Sequence, residues 1–446
     1  MYTDITERLD ALFPRLQLIL EELVRVPSVS AAGYDVEQVH RSAEATRVLL
    51  EQAGATNVQL LRVEGAHPAV YGEVAGPAEA PTVLLYAHHD VQPAGPSAAW
   101  ETDPFEPEVR AGRLYGRGAA DNKAGIIVHL GALGAHAAQP PVNVKLFIEG
   151  EEEIGSLHLA DYIEQYADML AADIIVIADS GNIRTGAPSL TTSLRGLVDC
   201  NVEVRVLENP VHSGLGGGIV PDALISISRL LASLHHEDGT VAVAGRVGYE
   251  PAAFDYPEAS IRSELGVLDS VDLIGEGSLA SRMWTRPAIA VLALDAPPVA
   301  DAINQIVPVA KAKVSMRIAP GDDPQAAMDA LVEHLETHAP WGVEVTVTPG
   351  SQGQAFALDT SGPGYDAFRA GFAAAWGTET TDIGVGGSIP FVAAFSQRYP
   401  EATILLTGAA DDKSQAHAPN ESVDLEEVRR AALAEAIALQ LLAEPS

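Results

Sequence analysis

Apolar residues recur at helical spacing from Ile5 to Val26, with Pro14 marking an expected kink, and the pattern stops at Pro27-Ser28. It returns over 35–53 and closes at Gly54, a residue suited to a helix C-cap. Short β-rich runs follow at 58–63, 69–74 and 82–87, then a helical stretch over 122–136 and an apolar strand at 142–148. Residues 157–170 read as one helix and 174–178 as a fully apolar strand. Strands that alternate with helices and are apolar throughout predict an α/β fold whose sheet is covered on both faces.

The pattern changes near Leu194. Residues 199–207 alternate like a half-exposed strand, 221–234 are amphipathic at helical spacing, 311–318 read as a strand, 324–338 as a helix and 343–347 as a strand. This order predicts a small two-layer α+β domain, interrupted by a long stretch, 238–300, that looks irregular and carries no motif. Beyond Gln352 the α/β pattern resumes, with helices over 365–376 and 425–442 and a strand over 402–407. The expected organisation is a discontinuous domain, 1–194 with 352–446, carrying an inserted domain at 195–351.

Composition narrows the classes of function. With 47% hydrophobic and 20% charged residues, the 446-residue chain has the make-up of a globular protein large enough for more than one core. Its 27 Lys and Arg against 61 Asp and Glu leave a net charge of −34, which argues against nucleic acid or an anionic membrane as partner. The single cysteine, Cys200, excludes an internal disulfide framework and a cysteine-based zinc site. The first residues lack the basic and apolar regions of a secretory signal, and no apolar run reaches the roughly 18 residues of a membrane span. A cytoplasmic location is expected.

The candidate chemistry gathers where strands end. The 142–148 strand runs into Glu149, Glu151, Glu152 and Glu153 around Gly150, which reads either as a solvated acidic turn or as a cation site. The 82–87 strand runs into His88-His89-Asp90, where residues two apart share a face and a carboxylate can orient a metal-binding imidazole. Asp121 stands at an expected helix start, where it reads equally as an N-cap. Asp179 follows the 174–178 strand, and His417 lies in a polar loop ahead of the last helix. Each signal alone is modest, but four junctions of one α/β unit carry them together.

The stretches YAHHDVQP, LYGRGAADNKAG, EGEEEIGS, IADS, SLRG, VHSGLGGG, MRIAP, GGSIP and HAPNE, spread over about 84–421, resemble the M20 metallopeptidase family. These are the co-catalytic zinc enzymes of the aminoacylase and carboxypeptidase G2 kind, and the likeness is greatest to the carnosinase-like dipeptidases. The resemblance implies a zinc-peptidase-like three-layer α/β catalytic domain with an inserted α+β, ferredoxin-like lid and dimerisation domain. It implies two Zn²⁺ per subunit, with Mn²⁺ or Co²⁺ able to take the same places. Asp121 would bridge them, with His88 and Asp179 on one ion, Glu153 and His417 on the other, and Asp90 holding His88. Three ligand carboxylates against two divalent ions leave +1, which a bridging hydroxide would neutralise. Glu152 would be the general base.

From the inserted domain the resemblance implies His212, supplied across a homodimer interface to the tetrahedral oxyanion, and Arg317 as clamp for a substrate carboxylate. Gly386-Gly387-Ser388 would add contacts to that carboxylate, and Asn304 a further contact to substrate. The implied reaction is hydrolysis of small peptides with a free C-terminal carboxylate. The alternative is an N-acyl- or N-carbamoyl-amino-acid amidohydrolase using the same metals. One departure bears on this choice: Gly384-Val385 stand where the family's dipeptidases commonly carry Arg-Glu.

Overall fold

The computed structural model describes residues 2–251, 256–387 and 390–444. It divides into two compact units. The first is built from residues up to Thr192, Leu358–Ile383 and the chain from Pro390 onward; the second is Ser193–Ala357 with a short return segment that starts at Gly384.

In the first unit the strands Thr56–Leu61, Ala69–Val74, Asn143–Glu149, Thr82–His88, Ile174–Ile177, Thr403–Leu406 and Ser189–Leu194 lie side by side in that order. Thr82–His88 pairs in parallel with Asn143–Glu149 and Ile174–Ile177, and Thr403–Leu406 pairs in parallel with Ile174–Ile177. These four are the central strands, buried on both faces, which is why they read as continuous apolar runs. The helix Lys123–Ala135 is buried almost all round and packs against Thr3–Val24 and Leu425–Leu442. Pro14 lies inside the helix Thr3–Val24. That helix's end is closed by Lys123, whose buried ammonium donates to the carbonyls of Leu23 (2.8 Å) and Val26 (2.7 Å).

The second unit is a four-stranded antiparallel sheet in the order Ala288–Asp295, Val309–Ile318, Gly196–Arg205, Glu344–Gly353. With Ala223–Ala232 and Pro324–Thr337 this is the ferredoxin-like arrangement, numbered by chain position as second, third, first and fourth strand. Val198, Cys200, Val202 and Val204 alternate inward with Ala312, Val314 and Met316, against Ile227, Leu230, Met328 and Leu331 of the helices.

Two expectations are corrected here. The described part of 238–300 is not irregular throughout: it forms helices Glu258–Leu265 and Leu279–Trp284 and the strand Ala288–Asp295, which among the described residues is an edge strand paired on one side. The stretch 157–170 is two short helices, Leu159–Gln165 and Ala167–Leu170, broken at Tyr166. No helix among the described residues is long and apolar enough to cross a membrane.

Candidate metal centre

The parallel strands of the first unit bring their carboxyl ends to one edge, and three of these ends deliver polar groups. Thr82–His88 ends in His88, whose ring is fully buried. Asn143–Glu149 leads into the short 3-10 turn Glu152–Ile154, and Ile174–Ile177 into Asp179. The helix Lys123–Ala135 begins after Asn122, so Asp121 is not its cap. Asn122 instead donates to Ala178 O at 2.5 Å and to Asp179 Oδ1 at 2.8 Å, fixing the start of that helix to the end of the neighbouring strand.

Asp121 lies between two histidines. Its Oδ1 is 3.0 Å from His88 Nε2, and its Oδ2 is 2.9 Å from His417 Nε2. His88 Nε2 is also 3.4 Å from Asp179 Oδ1, and His417 Nε2 is 3.0 Å from Glu153 Oε2. That Glu153 oxygen is buried and has no well-aligned hydrogen-bond donor. Ligand-capable atoms of His88, Asp121 and Glu153 fall within 4.8 Å of one another, as do those of His88, Glu152 and Asp179. Glu152 is thus within reach of the same centre. His417 holds its place at φ +64°, in the left-handed region that few non-glycine residues adopt.

Asp90 does more than steady an imidazole. His88 Nδ1 faces the Asp90 carbonyl at 3.1 Å and its carboxylate at 3.4 Å, which leaves Nε2 free to bind. The same carboxylate accepts the backbone N–H groups of Glu152 (3.3 Å) and Glu153 (3.1 Å) and the Ser30 hydroxyl (2.7 Å). One buried residue therefore orients a histidine and the two adjacent acids.

The electrostatics follow from crowding acids in a buried space. Burial, then the charge of Asp179, Glu153 and Asp121, pushes Glu152 up to about 9 against the pull of His88. Burial likewise raises Asp179 and Glu153. The carboxylates of Asp121 and Glu153, 2.9 and 3.0 Å from its Nε2, hold His417 up at about 10. Burial works against a charged His88, yet Asp179, Asp121 and Asp90 raise its pKa well above the usual imidazole range. A site that strains its own acids in this way is one that stabilises cations.

Two supporting residues were not assigned a role from the sequence. Glu421 is fully buried and accepts from Gly118 N (3.0 Å), Ala120 N (2.9 Å), Asp121 N (3.0 Å) and Arg117 Nη1 (2.7 Å), so it fixes the backbone that carries Asp121. Gln92 reaches Glu153 from its backbone N–H (3.2 Å to Oε1) and its side chain (2.9 Å to the carbonyl). Both lie inside the HAPNE and YAHHDVQP stretches, which was the available signal.

The remaining expected residues belong to the second unit. His212 is exposed, and its Nδ1 accepts from Gly214 N at 3.0 Å, which places the proton of a neutral ring on Nε2. It pairs with Gln305, and Ser213 N donates to Asn304 O at 3.0 Å, so His212 and Asn304 are neighbours. Arg317 lies near the end of Val309–Ile318, and Gly387 follows the strand Thr381–Val385. Ser388 lies outside the described residues.

Residues 84–440 match the sequence profile of peptidase family M20/M25/M40. The chain is 37% identical over 367 residues to a cysteinylglycine-S-conjugate dipeptidase of Corynebacterium striatum, covering 80% of each protein. It is 28% identical over 383 residues to the Beta-Ala-His dipeptidase of Homo sapiens, covering 80% of this chain and 74% of that one. Among solved structures it is similar to the di-peptidase Dug1p from Saccharomyces cerevisiae, with a TM-score of 0.82 at 22% identity over 100% of this chain and 99% of the other.

Proposed function

The chain belongs to peptidase family M20/M25/M40, and on that footing we propose that it is a metal-dependent dipeptidase whose centre is the cluster around Asp121. The observation that carries this reading is that the two oxygens of Asp121 face different histidines, at 3.0 and 2.9 Å. One carboxylate so placed suits a bridge between two cations. The buried Glu153 oxygen without an aligned donor, and the raised Asp179 and Glu153, fit the same donor set.

His88, Asp121 and Asp179 would hold one cation, and Asp121, Glu153 and His417 the other. Mixed imidazole and carboxylate donors suit Zn²⁺, with Mn²⁺ or Co²⁺ as alternatives. Divalent cations bound there would polarise the scissile carbonyl, acidify water and bring the Glu152 pKa back down. Glu152 then accepts a proton from the attacking water and passes it to the leaving amine. His212 of the partner subunit would donate its Nε2–H to the developing oxyanion. Arg317, Gly387 and Ser388 would hold the substrate's C-terminal carboxylate, with Asn304 a further contact to the substrate.

In this reading residues 1–194 and 352–446 are the catalytic domain and 195–351 the lid and dimerisation domain. A homodimer is supported by the edge strand Ala288–Asp295, where Val291, Leu292 and Leu294 are 46%, 59% and 45% exposed.

The test is hydrolysis of dipeptides, tripeptides and N-acetyl amino acids by protein of measured metal content, before and after chelation. Cleavage of dipeptides that stops on chelation and returns with Zn²⁺ or Mn²⁺ is the expected result. Cleavage of N-acyl amino acids alone would move the function to the amidohydrolase alternative.

A further inference from the structure

In the second unit, Arg195 follows the strand Ser189–Leu194 and is held from several sides. Its Nη1 donates to the carbonyls of Arg282 (3.2 Å) and Arg286 (3.5 Å), and its backbone N–H to Val385 O (3.1 Å). Its Nε is buried with no hydrogen-bond partner, and among the described residues no acid approaches the guanidinium. Arg317 is close by in the sheet, since it pairs with Leu197, two residues from Arg195. Among the described residues it too has no ion pair.

Both arginines are half-buried, and cations drawn out of water are ordinarily matched by an acid or by several hydrogen bonds. Here burial first, and then the charge of Arg317, brings Arg195 down to about 10, and burial lowers Arg317 as well. Two guanidiniums that repel each other favour an anion between them.

The stretch 238–300 builds the seat. A Cβ on Gly384 would lie 2.5 Å from Trp284 Cβ, and one on Gly386 would lie 2.8 Å from Arg195 Nη2. The buried Trp284 therefore occupies the space into which a side chain at 384 would grow. The backbone at Gly386 runs directly past the guanidinium. The helix Leu279–Trp284 and the residues just after it thus fix both the arginine and the bend beside it.

We propose that Arg195 and Arg317 together form a two-guanidinium subsite for the free C-terminal carboxylate of the peptide, with Arg195 seated by residues 282–286. The proposal rests on the dipeptidase reading and adds to it a second specificity residue. A carboxylate offers about four lone-pair positions, enough for two guanidinium forks, whereas a C-terminal amide carries no charge to offset theirs.

The experiment compares a dipeptide with its C-terminal amide on metal-loaded enzyme, for the wild type and for Arg195→Gln, Arg195→Lys and Arg317→Gln. Arg195→Gln should raise KM for the free acid about 10–100-fold, the worth of one or two charged hydrogen bonds, with kcat and the amide little changed. Arg195→Lys should restore only part of the preference, because an ammonium lacks the planar fork. Equal slowing of acid and amide by Arg195→Gln would mean that Arg195 serves only to hold the Arg282 and Arg286 carbonyls, and the proposal falls. If Arg195→Gln does not fold, Gly386→Ala displaces Nη2 while keeping the arginine; an unchanged acid-over-amide ratio there overturns the proposal. Loss of preference in Arg317→Gln alone defeats the role of Arg195 but leaves the dipeptidase reading standing. A wild type that cleaves no dipeptide defeats both.

Discussion

At the strand ends of the first unit, Asp121, Glu152, Glu153 and Asp179 crowd around two histidines, and burial drives the acids Glu152, Glu153 and Asp179 upward. In the second unit Arg195 and Arg317 come together with no acid among the described residues, and burial drives both downward. Each region concentrates one sign of charge beyond what its own neighbours neutralise. The difference between them is chemical: the first is arranged for cations and proton transfer, the second for an anion and orientation. A stability-optimised chain would have mixed the two sets, so the separation points to ligands.

Changing Glu152 should affect the first kind of chemistry alone. Glu152→Gln is expected to lower kcat about 10²–10⁴-fold while KM and metal content stay near those of the wild type. Retained turnover, or loss of a metal equivalent, would show that Glu152 is a spectator or a ligand, and the contrast between the regions would weaken. Glu421→Gln replaces with an amide nitrogen one of the two oxygens that accept from the N–H groups of Gly118, Ala120 and Asp121, without altering a metal-binding side chain. Metal affinity measured by competition with a chelator should fall about 10–100-fold, as for other groups that orient ligands. Unaltered affinity would mean the loop around Asp121 holds itself.

The smallest effect separates structural burial of charge from functional burial. His129 faces Glu435 at 3.0 Å and Tyr86 O at 3.0 Å in the core of the first unit. Burial opposes its charge, but Glu435 raises its pKa above the ordinary value. A raised pKa means the folded state holds the proton more tightly, so this contribution is full below about 6.5 and is lost as pH rises through the folded value. Urea unfolding should therefore show the wild type losing more stability than Glu435→Gln as pH rises above about 6.5. Parallel losses would indicate a neutral His129.

The parts legible in the sequence were those in which one short segment carries its own signal. A central parallel strand is apolar on both faces, and its end is marked by an abrupt run of polar groups, so His88, Glu153 and Asp179 stood out at their junctions, whereas Asp121 read equally as a helix cap. Glu421 did not, because its role lies in bonds to Gly118, Ala120 and Asp121, some 300 positions earlier. The strand Ala288–Asp295 escaped because it lies at an edge and is mostly exposed, so it shows no alternation of buried and open positions. Arg195 had only the SLRG stretch to mark it; its isolation from acids is a property of the folded unit.

The helix Leu425–Leu442 has a consequence for biosynthesis. It covers the helix Lys123–Ala135 and supplies Glu435 to His129, yet it leaves the ribosome after everything else described in the first unit's core. The whole of Ser193–Ala357 is available to fold before that. The nascent chain therefore carries a finished second unit and a first unit whose apolar helix is still wet, the state in which chaperone capture and premature association compete with folding.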